Sequence, residues 1–157
     1  MDGASIAAFF VYGTLKSNQI RGKMWPRVPL RVRAAIAAGT LFDLGPYPAM
    51  VPGDDWVSGE LWEFELQDMP SVTERLDSIE GYCIGSTSNL YEREIVLTRV
   101  CDSRGLEQEI PAYTYFYGDS KIAESHRRIE ERVTVLGRAC TEWPDSQTNL
   151  RRVALDA

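Results

Sequence analysis

The chain has 157 residues, 44% of them apolar and 25% charged, which suits one globular domain able to bury a core without disulfides or metal. A formal charge of -6 argues against general nucleic-acid binding, which relies on Lys and Arg neutralising phosphates, and nothing approaches the roughly 18 apolar residues of a membrane span. Cys83, Cys101 and Cys140 are odd in number and lack C-x-x-C spacing, as expected of reduced thiols in a cytoplasmic protein, and the single histidine, His126, has no partner at metal-ligand spacing and suits the surface of a helix.

Residues 6–12 are apolar on both faces and have no basic residue ahead of them, so they read as a central strand and not as a signal segment. The strand runs into Gly13-Thr14-Leu15. A glycine at such an exit admits a ligand to the backbone, and successive N–H groups there can form a small anion-binding nest. Between Lys16 and Arg33 lie six basic residues, Lys16, Arg21, Lys23, Arg27, Arg31 and Arg33, and no acid. This segment reads as a solvated loop, with attraction of an anionic small molecule as the other reading. Residues 34–44 predict a strand that ends in the rigid turn Gly45-Pro46-Tyr47-Pro48. A Pro-Gly-Asp-Asp turn at residues 52–55 then leads into a strand over 56–64, where Val57, Gly59, Leu61 and Glu63 alternate with Ser58, Glu60, Trp62 and Phe64.

Val72, Leu76 and Ile79 recur at four and three residues, which predicts a short helix. Asp68 offers a cap, Pro70 a first-turn proline, and Gly81 the left-handed residue past the end. Glu80 therefore closes the helix on the flank of its apolar stripe, while Glu74, Asp77 and Ser78 point away from the stripe. Partial desolvation and the negative end of the helix dipole both raise the pKa of a carboxylate placed there, which suits a proton acceptor near neutrality. The stretch by itself also suits a solvated last-turn glutamate. Residues 91–100 and 108–117 alternate as the arms of a hairpin turned at 102–105, with Tyr113, Tyr115 and Tyr117 on one face and Thr114 and Phe116 on the other. Five strands and one interposed helix predict a small barrel or strongly curved sheet. Beyond it, Ile122, Ile129, Val133 and Leu136, with Cys140 just beyond, form a single helical seam over residues 120–139, ended by Trp143-Pro144, and the final stretch to Ala157 reads as partly disordered.

Six pieces occur together and in register: Val11-Tyr12-Gly13-Thr14-Leu15-Lys16, Asp43-Leu44-Gly45-Pro46-Tyr47-Pro48, Val57-x-Gly59-Glu60-Leu61, Leu76-Asp77-x-x-Glu80-Gly81-Tyr82, Tyr91-x-Arg93 and Ala112-Tyr113-x-Tyr115. In this order they resemble the gamma-glutamylcyclotransferase-like family, over roughly residues 6–117. The resemblance implies an α+β fold: a small mixed, mostly antiparallel β-barrel flanked by helices, to which this chain adds an extra C-terminal helix. It divides the chain into a domain over 1–118 and a helical extension over 119–157. It also implies a cyclisation in which the substrate's α-amine attacks its own γ-amide carbonyl, releasing an amine or amino acid and leaving 5-oxoproline. By the same resemblance Glu80 is the catalytic residue. The N–H groups of Gly13, Thr14 and Leu15 hold the glutamyl group at its α-carboxylate or its developing oxyanion, Tyr12 and Tyr115 position it through their hydroxyls, and Arg93 orients a wall or neutralises a carboxylate.

No cofactor, metal, nucleic acid or membrane enters this scheme; the implied partner is a small gamma-glutamyl molecule in the cytoplasm. The turn lacks the Tyr-Gly-Ser-Leu-Ile-Trp form of the glutathione-degrading branch, so the resemblance leads toward the gamma-glutamylamine branch. Two competing classes remain at this level: the same fold used as a non-catalytic binding module, and an amidohydrolase or acyltransferase with Cys83 as nucleophile. The leaving amine and the oligomeric state are left open.

Overall fold

The computed structural model describes residues 6–17, 19 and 22–143. In chain order it runs β1 (Ala8–Val11), β2 (Arg31–Asp43), β3 (Pro48–Glu63), α1 (Met69–Glu80), β4 (Tyr91–Cys101), β5 (Glu107–Tyr117), α2 (Ser120–Glu124), β6 (Arg127–Arg128), β7 (Arg132–Val135) and β8 (Arg138–Thr141).

All four residues of β1 are buried, because it has sheet neighbours on both sides and packing on both faces. It pairs antiparallel with β3, from Ala8 opposite Glu63 to Val11 opposite Glu60, and parallel with β5 at Phe9 opposite Tyr113. The sheet order is β6-β2-β4-β5-β1-β3-β8-β7, and a long β2–β3 pairing joins its inner members into a ring of five strands. The ring is not a regular barrel. Its β2–β4 seam is a single register pair, Ile36 opposite Arg99, while β4 and β5 pair along their whole length. Inside lie Phe10, Leu41, Met50, Leu61, Val100 and Phe116. Outside, Phe9, Val11, Trp62, Phe64 and Tyr115 form a second core beneath α1.

α1 presents Met69, Val72 and Leu76 to that outer core, all buried. Burial of each such side chain contributes about 1.5–3 kcal/mol. Pro70 occupies the first turn, as the sequence predicts, and Gly81 follows the last residue at φ +68°. Asp68 differs from expectation. It is helical itself and its side chain caps nothing, because the 3-10 turn Leu66–Asp68 runs straight into α1.

The predicted turn at residues 52–55 is instead a wide bulge inside β3. Ala38 pairs with Trp56 and Thr40 with Val51, so Gly39 alone faces four residues, and β2 carries the pairing across the interruption. The expected helix over residues 120–139 starts where it should, with the Asp119 carboxylate accepting from the N–H groups of Lys121 and Ile122. It stops after Glu124. Ile129 and Cys140 are buried but Ile122 is 48% exposed, so the supposed seam does not share one face. From Arg127 the chain forms three short strands instead, β6, β7 and β8, and in β7 Val133, Thr134 and Val135 favour a pleated surface. Leu136 (φ 53°) and Gly137 (φ 75°) form a two-residue turn of the kind that matches strand twist. His126 is exposed just past α2 and not on a helix. Residues 144–157 lie outside the described residues, and with them the reading of the tail.

The hairpin yields a direct check. Gly137→Val places a β-branched residue in the left-handed region, which costs about 1–2 kcal/mol, and Leu136→Asn relieves the same strain one residue earlier. Thermal melting is expected to fall by several degrees for the first variant and to hold or rise for the second; the opposite order would mean that the C-terminal segment is not this hairpin.

Candidate active site

The site begins where β1 ends. The Lys16 N–H donates to the Gly13 carbonyl at 3.1 Å, closing a turn over Thr14 and Leu15. Among the described residues, none accepts from the main-chain N–H groups of Gly13, Thr14 or Leu15. A side chain at Gly13 would lie 2.9 Å from Pro48 Cγ, so only glycine lets the turn sit against this proline. Pro48 is fixed in turn by the Tyr91 hydroxyl, which donates to its carbonyl at 2.8 Å.

Opposite the turn, α1 ends in a Schellman motif: the Tyr82 N–H donates to the Asp77 carbonyl and the Gly81 N–H to the Ser78 carbonyl. This geometry leaves Glu80, half-buried, as the last helical residue. A cavity of about 90 Å³ lies between the two ends, lined by Tyr12, Gly13, Thr14, Leu15, Tyr47, Pro48, Ile79, Glu80, Tyr91 and Tyr115 among others. Six residues singled out in the sequence therefore meet on one cavity: Tyr12 to Leu15, Glu80 and Tyr115. Tyr47, Pro48 and Tyr91 were not named as site residues, although their motifs carried the resemblance.

Both predicted tyrosines are tied into the protein. The Tyr12 hydroxyl donates to the Tyr115 carbonyl, and the Tyr115 hydroxyl donates to Asp77 Oδ1 at 2.6 Å. Burial pushes the Tyr12 phenol well above the ordinary tyrosine range, with the charges of Tyr91 and Glu80 adding to the rise. Tyr115 is raised too, first by burial and then by its bond to Asp77.

Arg93 does not line the cavity. Its Nε donates to Asp77 Oδ1 at 2.9 Å, and its guanidinium lies 4.9 Å from the Tyr113 ring centre and 5.3 Å from that of Tyr82. Asp77 itself points away from the apolar stripe by helical angle, yet it is half-buried, because the β4–β5 hairpin covers that flank. The signal available in the sequence was its fixed place three residues before Glu80. Cys83 is an exposed free thiol outside the cavity lining.

The basic segment is largely answered internally. Lys16 is buried with its Nζ on the Trp143 carbonyl at 3.0 Å, Arg31 and Arg33 share Glu63, and Arg27 lies 3.7 Å from Asp68. Arg21 lies outside the described residues.

A family model for gamma-glutamyl cyclotransferase, AIG2-like proteins matches residues 9–133. The chain belongs to this family, and its function is of the cyclotransferase kind. A curated relative, the gamma-L-glutamyl-butirosin B gamma-glutamyl cyclotransferase of Niallia circulans, is 31% identical over 118 residues, covering 74% of this chain and 70% of that one. Among solved structures, YkqA of Bacillus subtilis aligns with a TM-score of 0.50 at 21% identity, over 81% of this chain and 45% of that one. The chain thus spans less than half the length of YkqA, and the likeness is one of fold. An uncharacterized protein of Pyrococcus horikoshii aligns at 17% identity and a TM-score of 0.47, over 94% and 97% of the two chains.

The two raised phenols predict alkaline behaviour. A phenol held neutral in the folded chain contributes stability that is present below the unfolded tyrosine pKa of about 10 and is lost as pH rises above it. Absorbance titration should show Tyr12 and Tyr115 ionising only as the chain unfolds, with the melting temperature falling above about pH 10. Full ionisation of every tyrosine in the folded protein would contradict their burial.

Proposed function

We propose that this cyclotransferase acts on gamma-glutamyl amines or amino acids, with Glu80 as the single proton carrier and 5-oxoproline as the product. The observation that supports this reading is the pairing, across one small cavity, of the Glu80 carboxylate with three main-chain N–H groups that have no acceptor among the described residues.

The chemistry needs both parts. The substrate's α-amine is mostly ammonium at neutral pH, so Glu80 first takes a proton from it. The freed amine attacks the γ-carbonyl carbon, forming the new C–N bond and moving charge onto the carbonyl oxygen, where N–H donors of the 13–15 turn are suited to receive it. When the bond to the departing nitrogen breaks, Glu80 returns its proton to that nitrogen. The second proton of the attacking nitrogen also ends on the released amine, leaving a neutral lactam. Nucleophile and electrophile already share one molecule, so holding the folded conformer lowers the barrier by an amount that reaches about 7–11 kcal/mol in well-oriented cases.

The relative named for gamma-L-glutamyl-butirosin B is the ground for including conjugates beyond gamma-glutamyl amino acids. We read residues 1–118 as the cyclotransferase unit and 119–157 as an extension of it; its described strands join the same sheet through β6 on β2 and β8 on β3. The setting we propose is cytoplasmic; separately, no helix among the described residues is long and apolar enough to cross a membrane. The Cys83 alternative loses ground because that thiol is exposed and is not among the residues that line the cavity.

Glu80→Gln keeps the size of the side chain and removes its basicity. Release of 5-oxoproline from a panel of gamma-glutamyl amines and amino acids, followed by mass spectrometry, should fall by about 10²- to 10⁴-fold. The exposed Glu74→Gln serves as the control and should be unchanged. Near-normal turnover by Glu80→Gln would remove Glu80 from the mechanism.

A further inference from the structure

One turn before Glu80, Asp77 joins three elements at a single oxygen. Its Oδ1 accepts the Tyr115 hydroxyl from β5 at 2.6 Å and Arg93 Nε from β4 at 2.9 Å. The Arg93 and Asp77 side chains are only 14% and 17% exposed, and the guanidinium packs against the rings of Tyr113 and Tyr82. The carboxylate is therefore a fixed acceptor. A phenol has one proton to give, and Tyr115 gives it to Asp77. What remains to the phenolic oxygen is acceptor capacity alone, on a residue that lines the cavity together with Glu80. The Glu80 charge also acts on this hydroxyl, so the two groups share one electrostatic neighbourhood.

An acceptor-only oxygen on the same cavity as a carboxylate suits a ligand group with several N–H donors and a positive charge. The glutamyl α-ammonium has three such donors, of which Glu80 takes one. We propose that Asp77 is a positioning residue of the reaction: by holding the Tyr115 proton, it turns the phenolic oxygen into an acceptor for the substrate α-ammonium and so aims that nitrogen at Glu80. This deepens the reading of Glu80 as proton carrier and rests on it. Arg93 has a part in the same arrangement, since it keeps the Asp77 carboxylate in place without entering the cavity.

Ligand binding by the full chain carrying Glu80→Gln, in which turnover is suppressed, tests the proposal. Two ligands are titrated calorimetrically: gamma-glutamyl methylamide, and glutaric acid monomethylamide, which lacks only the α-amine. Tyr115→Phe should weaken the first about tenfold to a hundredfold, the range of a hydrogen bond to a charged group, and leave the second within about twofold. Asp77→Leu should reproduce that pattern. Asp77→Asn should stay within about threefold for both ligands, because an amide oxygen still accepts from Tyr115 and Arg93. Equal weakening of both ligands by Tyr115→Phe and Asp77→Leu, or no weakening of either, would overturn the proposal. A parent that binds neither ligand would defeat the glutamyl reading and this proposal with it. If Glu80→Gln instead turns over while Tyr115→Phe still abolishes the discrimination, the proton carrier is misassigned but the acceptor role of Tyr115 stands.

Discussion

The left-handed turn at Gly81 decides where α1 ends, and the cavity exists because of that ending. Two hydrogen bonds, from Tyr82 to the Asp77 carbonyl and from Gly81 to the Ser78 carbonyl, close the helix with Glu80 as its last residue. The main chain of Asp77 thus terminates the helix while its side chain ties that terminus to β4 and β5. Glu80 is held at the rim by this double anchor and by Val72 and Leu76 buried beneath it. A helix frayed by one turn would lose both the motif and the ion pair.

The facing wall depends on contacts of a different kind. Here a proline packs where a Cβ would otherwise sit, and a buried tyrosine fixes that proline through its carbonyl. The parallel pairing of β1 with β5 then sets Tyr12 beside the main chain of Tyr115, so the two tyrosines brace the turn and the hairpin against each other. The cavity is bounded by hydrogen bonds made inside the protein, and both the 13–15 turn and Glu80 line it.

Much of this was legible in the sequence, because local rules governed it. The period of Val72, Leu76 and Ile79, the stop at Gly81 and the alternation through 91–117 depend on near neighbours and hold in the structure. What failed depended on distant partners. The bulge at residues 52–55 reads as a turn unless β2 is known to pair on both sides of it. The apolar residues after 120 fit a helical spacing by count, whereas Ile129 is drawn inward through its N–H bond to the Leu41 carbonyl and Cys140 is buried from a strand on β3's side of the sheet. Asp77 was misjudged for the same reason. Helical angle places it off the apolar stripe, and only the hairpin packed on that flank gives it Arg93 and Tyr115 as partners.

The central claim is that the glutamyl amine itself attacks the γ-carbonyl within this cavity, with no water entering the bond-making step. Turnover of a gamma-glutamyl amine by the parent protein in oxygen-18 water tests it most directly. Cyclisation predicts 5-oxoproline free of the heavy isotope and matched mole for mole by released amine. Glutamate carrying oxygen-18 in its side-chain carboxylate would mean hydrolysis, and would contradict the account.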